Sequence, residues 1–336
     1  MVKYDISTTS NQINSGVFMM PLDFAAWIKT TDRFKGMDPN VAMRSSAAKK
    51  EYADYCDRYE TKIGERLEIL RKKQEIRLEH SIDAFTHQNS DIPTKNLPLW
   101  HDKLRAIPNE LVRSALFNAR NHKNERDYMK GEVIASIGES EVRYTGQELR
   151  QDDETVWLQV LHLCRTEKLG TTIGVRRLAF LESIKWSPTK ANYERLHSCL
   201  DRLSATNIEV KSKRLKSRVA VSLIRKYKLD DESKLMLIEI EPEVHALFDD
   251  CYTLCEWDQR QSLPSGLTTW MHAYFASHEK PFPIKIETLT SGAGVHFTAK
   301  ADAKRSIKKA LEKLVEIEFL VRFKIEKDLV SVVRKK

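Results

Sequence analysis

Residues 185–228 constrain the fold of this chain more than any other segment, because a helix pattern runs directly into a hairpin pattern. The segment carries twelve Lys or Arg and three acidic residues. Ser187 followed by Pro188 predicts a helix start, with Ser as the N-cap and Pro at the first helical position. The helix is expected to run to about Thr206.

The two faces of this predicted helix differ in polarity. Leucines and a tyrosine recur at helical spacing and predict a buried stripe of Tyr193, Leu196, Leu200 and Leu203. About half a turn away, the spacing predicts an exposed face that carries Ser187, Ala191, Arg195, Ser198 and Arg202.

Two β-rich runs, 208–210 and 218–224, follow the helix, and the charged residues 211–216 between them predict a hairpin tip. A cationic helix followed by a basic hairpin is typical of a winged helix, in which the helix enters the major groove and the hairpin reaches phosphates. Arg195 and Arg202 are candidates for bidentate contacts to guanine. Contacts to phosphate, which give affinity without sequence preference, are predicted for Lys190, Lys211, Lys213, Arg214, Lys216 and Arg218.

The same order of elements recurs near the C-terminus. Residues 300–313 carry six basic and two acidic residues over an apolar helical stripe, and two strands are predicted at 319–325 and 329–333. The exposed face of this helix turns acidic at Glu312 and Glu316, so only its N-terminal half suits a phosphate-lined groove. The DNA contacts predicted here are Lys300, Lys304, Arg305, Lys308, Lys309 and Lys313.

These patterns predict an α+β protein with two tandem winged-helix domains, residues 97–250 and 251–336, behind a mainly helical N-terminal extension and linker, residues 1–96. A stripe in the extension predicts a long amphipathic helix. This helix either packs on its own domain or serves as a dimerisation or partner-docking helix. The stripe consists of Tyr52, Cys56, Tyr59, Ile63, Leu67 and Leu70.

Composition bounds the class of protein. The 336 residues have a net charge of +8 and a pI near 9.1, which favours polyanionic partners. The five cysteines are scattered and odd in number, which argues against a disulfide framework and fits a reducing cytoplasm. No apolar run approaches the roughly 18 residues of a membrane span, so no membrane partner is predicted.

The search for reaction chemistry predicts no enzyme, no cofactor and no metal. Gly292 and Gly294 lack the Lys of a phosphate-binding loop, so no ATPase is expected. His245, Cys251 and Cys255 lack a further pair of ligands that would complete a zinc site. The adjacent acids Asp152 and Asp153 are interpreted as a helix cap rather than as a nuclease pair.

A series of short motifs between about residue 97 and the C-terminus resembles the TrfA-type plasmid replication initiator proteins. The motifs occur in the order of the family, and together they are more specific than any one alone. They are residues 97–100, 113–117, 143–146, Leu149, 151–152, 169–170, 270–278, 281–283 and 287–289.

The resemblance implies tandem winged helices that bind repeated sites (iterons) in a plasmid origin, promote origin opening and recruit host replication proteins. It implies double-stranded DNA as the main partner, with single-stranded DNA as a further candidate, and the host initiator, helicase and sliding clamp as protein partners. It also implies an equilibrium between monomer and dimer. Two alternatives remain open: a winged-helix transcriptional repressor, and a DNA-processing relaxase or nuclease.

Overall fold

The computed structural model describes residues 22–86, 96–121, 123–213, 215, 218–249 and 251–335. The architecture is mixed α+β, as predicted, and the chain divides into two compact units, Met1–Arg77 and Leu78–Lys336. Within the described residues, no helix has both the length and the apolar character needed to cross a membrane.

In the described part of the first unit there are two short helices and most of one long helix: α1 (Phe24–Thr30), α2 (Pro39–Ala42) and α3 (Ser46–Thr86), which continues past the end of the unit. Its core is aromatic, because Trp27 of α1 packs edge-on against Tyr52 of α3 with ring centroids 5.4 Å apart. A long helix lies where the stripe predicted one, and its amphipathic character stays a prediction. Leu70 is 49% exposed, and the side chain of Leu67 lies outside the described part of the chain.

The second unit contains the remaining helices and all of the described strands. The helices are α4 (Asn109–Val112), α5 (Gln151–Cys164), α6 (Arg177–Ser183), α7 (Lys190–Ser204), α8 (Trp257–Ser262), α9 (Leu267–Ala276), α10 (Ile286–Gly292) and α11 (Lys300–Glu316), with a 3-10 helix at Pro242–Phe248. The strands are β1 (Leu104–Pro108), β2 (Phe117–Asn118), β3 (Tyr128–Ile134), β4 (Glu141–Gln147), β5 (Leu149–Arg150), β6 (Ile173–Arg176), β7 (Asn207–Lys211), β8 (Arg218–Val221), β9 (Lys226–Asp230), β10 (Leu235–Glu239), β11 (Tyr252–Glu256), β12 (Ile284–Lys285), β13 (Leu320–Glu326) and β14 (Leu329–Arg334).

The strands form five small sheets, of which two share one topology. In the C-terminal part, α9, β12, α10, α11, β13 and β14 follow one another, and the sheet order is β12-β14-β13. In the N-terminal part, α5, β6, α6 and α7 are followed later by β9 and β10, and the sheet order is β6-β10-β9. In both cases the strand before the two helices pairs with the last strand of the hairpin that follows them.

The hairpin predicted directly after α7 exists as β7 and β8, but it belongs to a different sheet. Its strand β7 pairs with β4, in a four-stranded sheet of order β3-β4-β7-β8. Ile208 and Val210 on β7 are fully buried, which fixes this hairpin in a core rather than leaving it as a projecting loop. The hairpin that matches β13-β14 in topology is therefore β9-β10 and not β7-β8, and the assignment of residues 208–224 as the wing stays a prediction.

Other boundaries also differ from the sequence prediction. Thr189, not Ser187, is the N-cap of α7, since its hydroxyl accepts a hydrogen bond from the backbone N–H of Asn192 at 3.3 Å. Helix α4 is short and ends at Val112. Strands β1, β2, β3, β5, β9, β10 and β11 were not predicted from the sequence.

Two apolar clusters form the core of the second unit. One runs from Leu97 to Trp257 with Ala273, and the other from Leu263 to Val332. They are in contact, because Trp270 of the second cluster donates its indole N–H to the carbonyl of Ser114 at 3.2 Å, and β11, which follows the predicted boundary, pairs with β1 in the first cluster. The domain boundary at residues 250 and 251 therefore stays a prediction.

Gly146 offers a test of how tightly β4 is packed. Its φ is +143°, and a Cβ placed there would lie 2.8 Å from the hydroxyl of Tyr144. That hydroxyl already donates to the carbonyl of Gln147 at 2.6 Å, so it cannot move freely. We expect Gly146→Ala to lower the free energy of unfolding by about 2 kcal/mol in urea denaturation, through backbone strain and overpacking.

The matched control for this substitution is Gly138→Ala. Gly138 also has a positive φ, +118°, but a Cβ there meets nothing within 4 Å. Its loss of stability should therefore be smaller, since it reports backbone strain alone. Equal losses in the two variants would show that the contact with Tyr144 contributes nothing.

Candidate nucleic-acid interface

Helix α11 presents an exposed cationic surface. Its apolar side packs on α9 and buries Ile307, Leu311 and Leu314. The six predicted cations all lie on the exposed side, with most of the positive charge in the N-terminal half of the helix, before Glu312 and Glu316. The placement predicted from the sequence is observed for Lys300, Lys304, Arg305, Lys308, Lys309 and Lys313.

Three of these six side chains form ion pairs, and all six remain accessible to solvent. Arg305 pairs with Asp302 at 2.9 Å, and Lys308 and Lys313 pair with acids one helical turn further on. Exposed pairs of this kind contribute little, so they compete weakly with a polyanion. Within the part of the chain that the structure describes, no ion pair is found for Lys300, Lys304 or Lys309.

Helix α7 has a different exposed side from the one predicted. Lys190 is exposed but pairs with Glu194 at 3.7 Å, and Asp201 adds a second exposed acid. Ala191 and Ser198 are exposed, as predicted. The expectation that the exposed face of α7 is cationic is therefore wrong for the described residues.

Arg202 is the main reason for this difference. Only 12% of its side chain is exposed, and its guanidinium lies 2.8 Å from the carboxylate of Asp153, which is fully buried. Burial lowers the pKa of Arg202, but the contact with Asp153 outweighs this effect and leaves the pKa above its usual value. Arg202 is thus held by a buried ion pair and does not lie on the exposed face as predicted, while its contact with guanine stays a prediction.

The exposure of Arg195 is intermediate between that of Lys190 and that of Arg202. Its guanidinium stacks 3.9 Å above the ring of Trp186, and its Nε lies 3.4 Å from a carboxylate oxygen of Asp152. The side chain is still 40% exposed. A contact of Arg195 with DNA therefore stays a prediction. Ser187, another predicted site residue, is exposed just before the helix begins.

The partners of both arginines are the acids at the start of α5. Arg150 is the N-cap of α5, and Asp153 at the third helical position accepts its backbone N–H at 2.8 Å, so neither acid is the N-cap that the sequence suggested. Arg126 adds ion pairs of 3.1 Å to Asp152 and 2.7 Å to Asp153. Burial raises the pKa of Asp152, but Arg126 and Arg195 outweigh it and hold the pKa below its usual range. Sequence reasoning missed Arg126, because no local motif marks it.

The β7-β8 hairpin carries exposed cations, but its tip contacts the rest of the unit. Lys213 pairs with Glu139 in the β3-β4 turn at 2.8 Å, and the hydroxyl of Ser212 donates to Glu110 of α4 at 3.1 Å. Lys211 and Arg218 are exposed at the ends of the two strands, where Arg218 pairs with Glu209 at 3.0 Å. The predicted residues Arg214 and Lys216 lie outside the described residues.

The β9-β10 hairpin brings further cations to the surface. Lys228 and Lys234 are exposed, and Lys234 occupies the turn with a φ of +59°. Arg177 of α6 pairs with Asp231 in the same turn at 3.0 Å, which ties the hairpin to the helix before α7. The alternation of Tyr227 and Leu229, followed by the apolar run 235–238, is the sequence signal that could have predicted these strands.

Comparison with known proteins gives one family match. The family model described as TrfA protein matches residues 62–334. A relative from Escherichia coli, the plasmid replication initiator protein TrfA, is 31% identical over 253 residues, which are 74% of this chain and 65% of the relative. The chain therefore spans slightly less than two thirds of the relative's length.

Two solved structures are similar at low sequence identity. The Pi initiator protein in complex with iteron DNA aligns with a TM-score of 0.49 and 11% identity, over 71% of this chain and 100% of that chain. Domains 2 and 3 of RctB align with a TM-score of 0.44 and 10% identity, over 67% of this chain and 96% of that chain.

Proposed function

Since this chain belongs to the TrfA protein family, we propose that it is a plasmid replication initiator that binds iterons at a replication origin. The observation that carries the proposal is the family match over residues 62–334, together with the named relative. The exposed cationic surface of α11 supports a nucleic-acid partner on independent grounds, because clustered lysines on one helix face are the electrostatic footprint of phosphate binding.

In the proposed mechanism, two winged-helix domains, residues 97–250 and 251–336, bind successive major grooves. The repeated topology supports this division, since β6-β10-β9 and β12-β14-β13 follow the same order around their helices. The helices α7 and α11 then occupy equivalent positions. Successive grooves on one side of a duplex are roughly 34 Å apart, so a single chain could read both halves of a direct repeat.

The two helices contribute differently in this proposal. α11 supplies phosphate contacts through Lys300, Lys304 and Lys309, which are exposed and lie in its more basic half. α7 offers Ala191, Ser198 and the half-exposed Arg195 to base edges. Affinity would thus come mainly from the C-terminal domain, while α7 would contribute more to sequence preference.

Initiation requires steps beyond binding. We propose that copies bound to adjacent iterons strain the neighbouring A·T-rich DNA, and that the energy comes from binding and bending. We also propose recruitment of the host initiator, helicase and sliding clamp, and contact with the opened single strand, as the family resemblance implies. The N-terminal extension is proposed as a further protein-docking segment.

A salt-titrated binding assay tests the proposal. Tandem repeats from the plasmid that carries this gene are compared with a scrambled duplex of equal length. A specificity ratio above roughly a thousand and a footprint of two helical turns would support an initiator. Weak and equal binding to both duplexes, lost steeply with salt, would refute it.

Replication and cleavage assays distinguish the proposed initiator from two alternative functions. Replication of an origin plasmid when this protein is supplied in trans distinguishes an initiator from a winged-helix repressor with the same binding surface. Metal-dependent nicking of the supercoiled plasmid would instead favour a relaxase or nuclease.

The topology also predicts which hairpin acts as the wing of the first domain. We expect the double substitution of Lys228 and Lys234 by Gln to weaken binding to any duplex roughly 30-fold, because two phosphate contacts are lost at about 0.15 M salt. The slope of log affinity against log salt should fall by about 1.8. Fluorescence anisotropy over a range of salt concentrations measures both quantities.

The matched control is the same double substitution on the other hairpin, at Lys211 and Lys213. Its effect should be smaller, because that hairpin lies against the β3-β4 turn and α4. If substituting Lys211 and Lys213 lowers the affinity for DNA more than substituting Lys228 and Lys234, then β7-β8 is the wing.

A further inference from the structure

Arg195 of α7 is held from two sides by residues outside its own helix. Its guanidinium stacks on the ring of Trp186, with 3.9 Å between its Cζ and the ring centroid. Its Nε–H donates to a carboxylate oxygen of Asp152 on α5 at 3.4 Å. The stacking restricts the tilt of the guanidinium plane, and the bond to the carboxylate restricts its rotation within that plane. Arg195 is therefore fixed in one orientation.

Asp152 is itself held in place, which makes it a rigid support for Arg195. Its two carboxylate oxygens accept hydrogen bonds from Arg126 at 3.1 and 3.2 Å, and one of them also accepts the backbone N–H of Asp153 at 3.1 Å. Asp152 is only 9% exposed. Burial raises its pKa, but the neighbouring arginines outweigh this effect, so the carboxylate is ionised at neutral pH.

The two terminal nitrogens of Arg195 remain available to a partner outside the chain. They have no hydrogen-bond partner among the described residues, and neither of them is buried. Arg195 lies on the same face of α7 as the exposed residues Ala191 and Ser198, which are four positions before it and three positions after it. The terminal nitrogens thus form an unpaired, two-pronged donor on the helix face that is proposed to meet base edges.

The comparison with Arg202 argues against a purely neutralising role for Arg195. Arg202 donates both its Nε–H and a terminal nitrogen to Asp153, and its side chain is 12% exposed. Arg195 contacts Asp152 through Nε alone and is 40% exposed. The contact with Asp152 therefore orients Arg195 without occupying the donors that a base would use.

We propose that Asp152 and Trp186 position Arg195 so that its two terminal nitrogens bind O6 and N7 of one guanine in the iteron. This role rests on the proposed function and deepens it, since it names the base and the two residues that orient its reader. A bidentate arginine on guanine is the commonest specific contact in the major groove. Because the guanidinium is oriented before binding, less side-chain entropy is lost on contact with the correct base.

The test uses iteron duplexes in which one guanine at a time is replaced by 7-deazaguanine, which lacks the N7 acceptor but still pairs with cytosine. Fluorescence anisotropy with the full chain measures the affinity for each duplex. We expect one guanine at which the replacement weakens wild-type binding about tenfold, within the range for a bidentate contact. At that position the replacement should have almost no effect on Arg195→Gln, because this variant has already lost the contact.

The same coupling tests the two positioning residues. In Asp152→Asn and in Trp186→Leu the effect of 7-deazaguanine at that position should fall from about tenfold to about twofold. Trp186→Phe keeps an aromatic ring beside the guanidinium and should restore most of the effect. The matched control is Glu194→Gln, which also removes one negative charge, at an exposed position of α7, and should leave the effect unchanged. A merely structural role would lower the affinity for all duplexes alike and would not change the coupling.

Full sensitivity to 7-deazaguanine in Asp152→Asn and Trp186→Leu would overturn the positioning role. If circular dichroism shows that Asp152→Asn does not fold, Trp186→Leu and Trp186→Phe decide the question. The absence of a responsive guanine, or an equal response in the wild type and in Arg195→Gln, would overturn the contact of Arg195 with guanine.

Specific binding by the wild type distinguishes this proposal from the proposed function. A wild type that does not prefer iterons to scrambled duplex refutes the proposed function. A wild type that prefers iterons but has no guanine coupled to Arg195 refutes only the role proposed for Arg195. Hydrogen exchange by nuclear magnetic resonance adds a measurement without DNA. The Nε–H of Arg195 should exchange faster in Asp152→Asn than in Glu194→Gln, and equal rates would also overturn the positioning role of Asp152.

Discussion

Replacing Arg202 with Ala is expected to lower the free energy of unfolding by about 3 kcal/mol. The sequence pattern suggests base recognition for this residue, but the expected effect is on stability. The substitution leaves the buried carboxylate of Asp153 without one of its partners. The expected value lies at the low end for a broken buried pair, because Arg126 and the backbone N–H of Arg150 still contact Asp153. Urea denaturation followed by circular dichroism measures the loss.

A double variant distinguishes the stability lost by breaking the ion pair from the stability lost by shortening the side chain. If the pair carries the effect, Arg202→Ala combined with Asp153→Asn should be less destabilised than the sum of the two single variants. Lys190→Ala on the same helix should change stability by less than about 0.5 kcal/mol, since its side chain is 91% exposed. A stable Arg202→Ala that loses only iteron binding would instead restore Arg202 as a residue that reads bases.

The largest effect on DNA affinity is expected from α11. Exchanging Lys300, Lys304 and Lys309 for Gln removes three exposed cations for which the described residues provide no ion pair. Loss of three phosphate contacts should weaken binding by about two orders of magnitude near 0.15 M salt and reduce the salt slope by about 2.7. The loss should be similar on iteron and scrambled duplexes, because phosphate contacts carry little sequence information.

A matched control tests whether position or only net charge matters. Lys49, Lys50 and Lys62 are exposed on α3, and their exchange for Gln changes the net charge by the same amount. This control should retain nearly full affinity. If it loses as much affinity as the α11 variant, general charge rather than the surface of α11 determines binding.

The C-terminal helix and hairpin could be predicted in detail because their signals are local. Helical spacing of Ile307, Leu311 and Leu314 predicts the buried side of α11, and the structure buries all three. The six cations on the other side need no distant partner to stay exposed. The pairing of β13 with β14 follows from two short apolar runs around a tight turn.

The N-terminal half was predicted less well because long-range contacts override its local signals. The spacing that placed Arg202 on an exposed face took no account of α5, which packs against α7 and buries that side chain. The basic run at 211–216 pointed to a wing, yet β7 pairs with β4, more than 60 residues earlier in the chain. Arg126 carries no local signal, and only packing gives it its role.

The sequence by itself determined the existence of α3, α7 and α11, the two hairpins that follow α7 and α11 directly, and the membership in a family of plasmid initiators. These features depend on periodicity, turn chemistry and motif order, which are encoded within short stretches of chain. Tertiary structure alone decided which cations remain available to a polyanion and which hairpin completes each three-stranded sheet. The physical reason is that an ion pair such as Arg202 with Asp153 joins residues 49 positions apart, and burial then determines whether a positive charge can meet DNA or must neutralise a carboxylate.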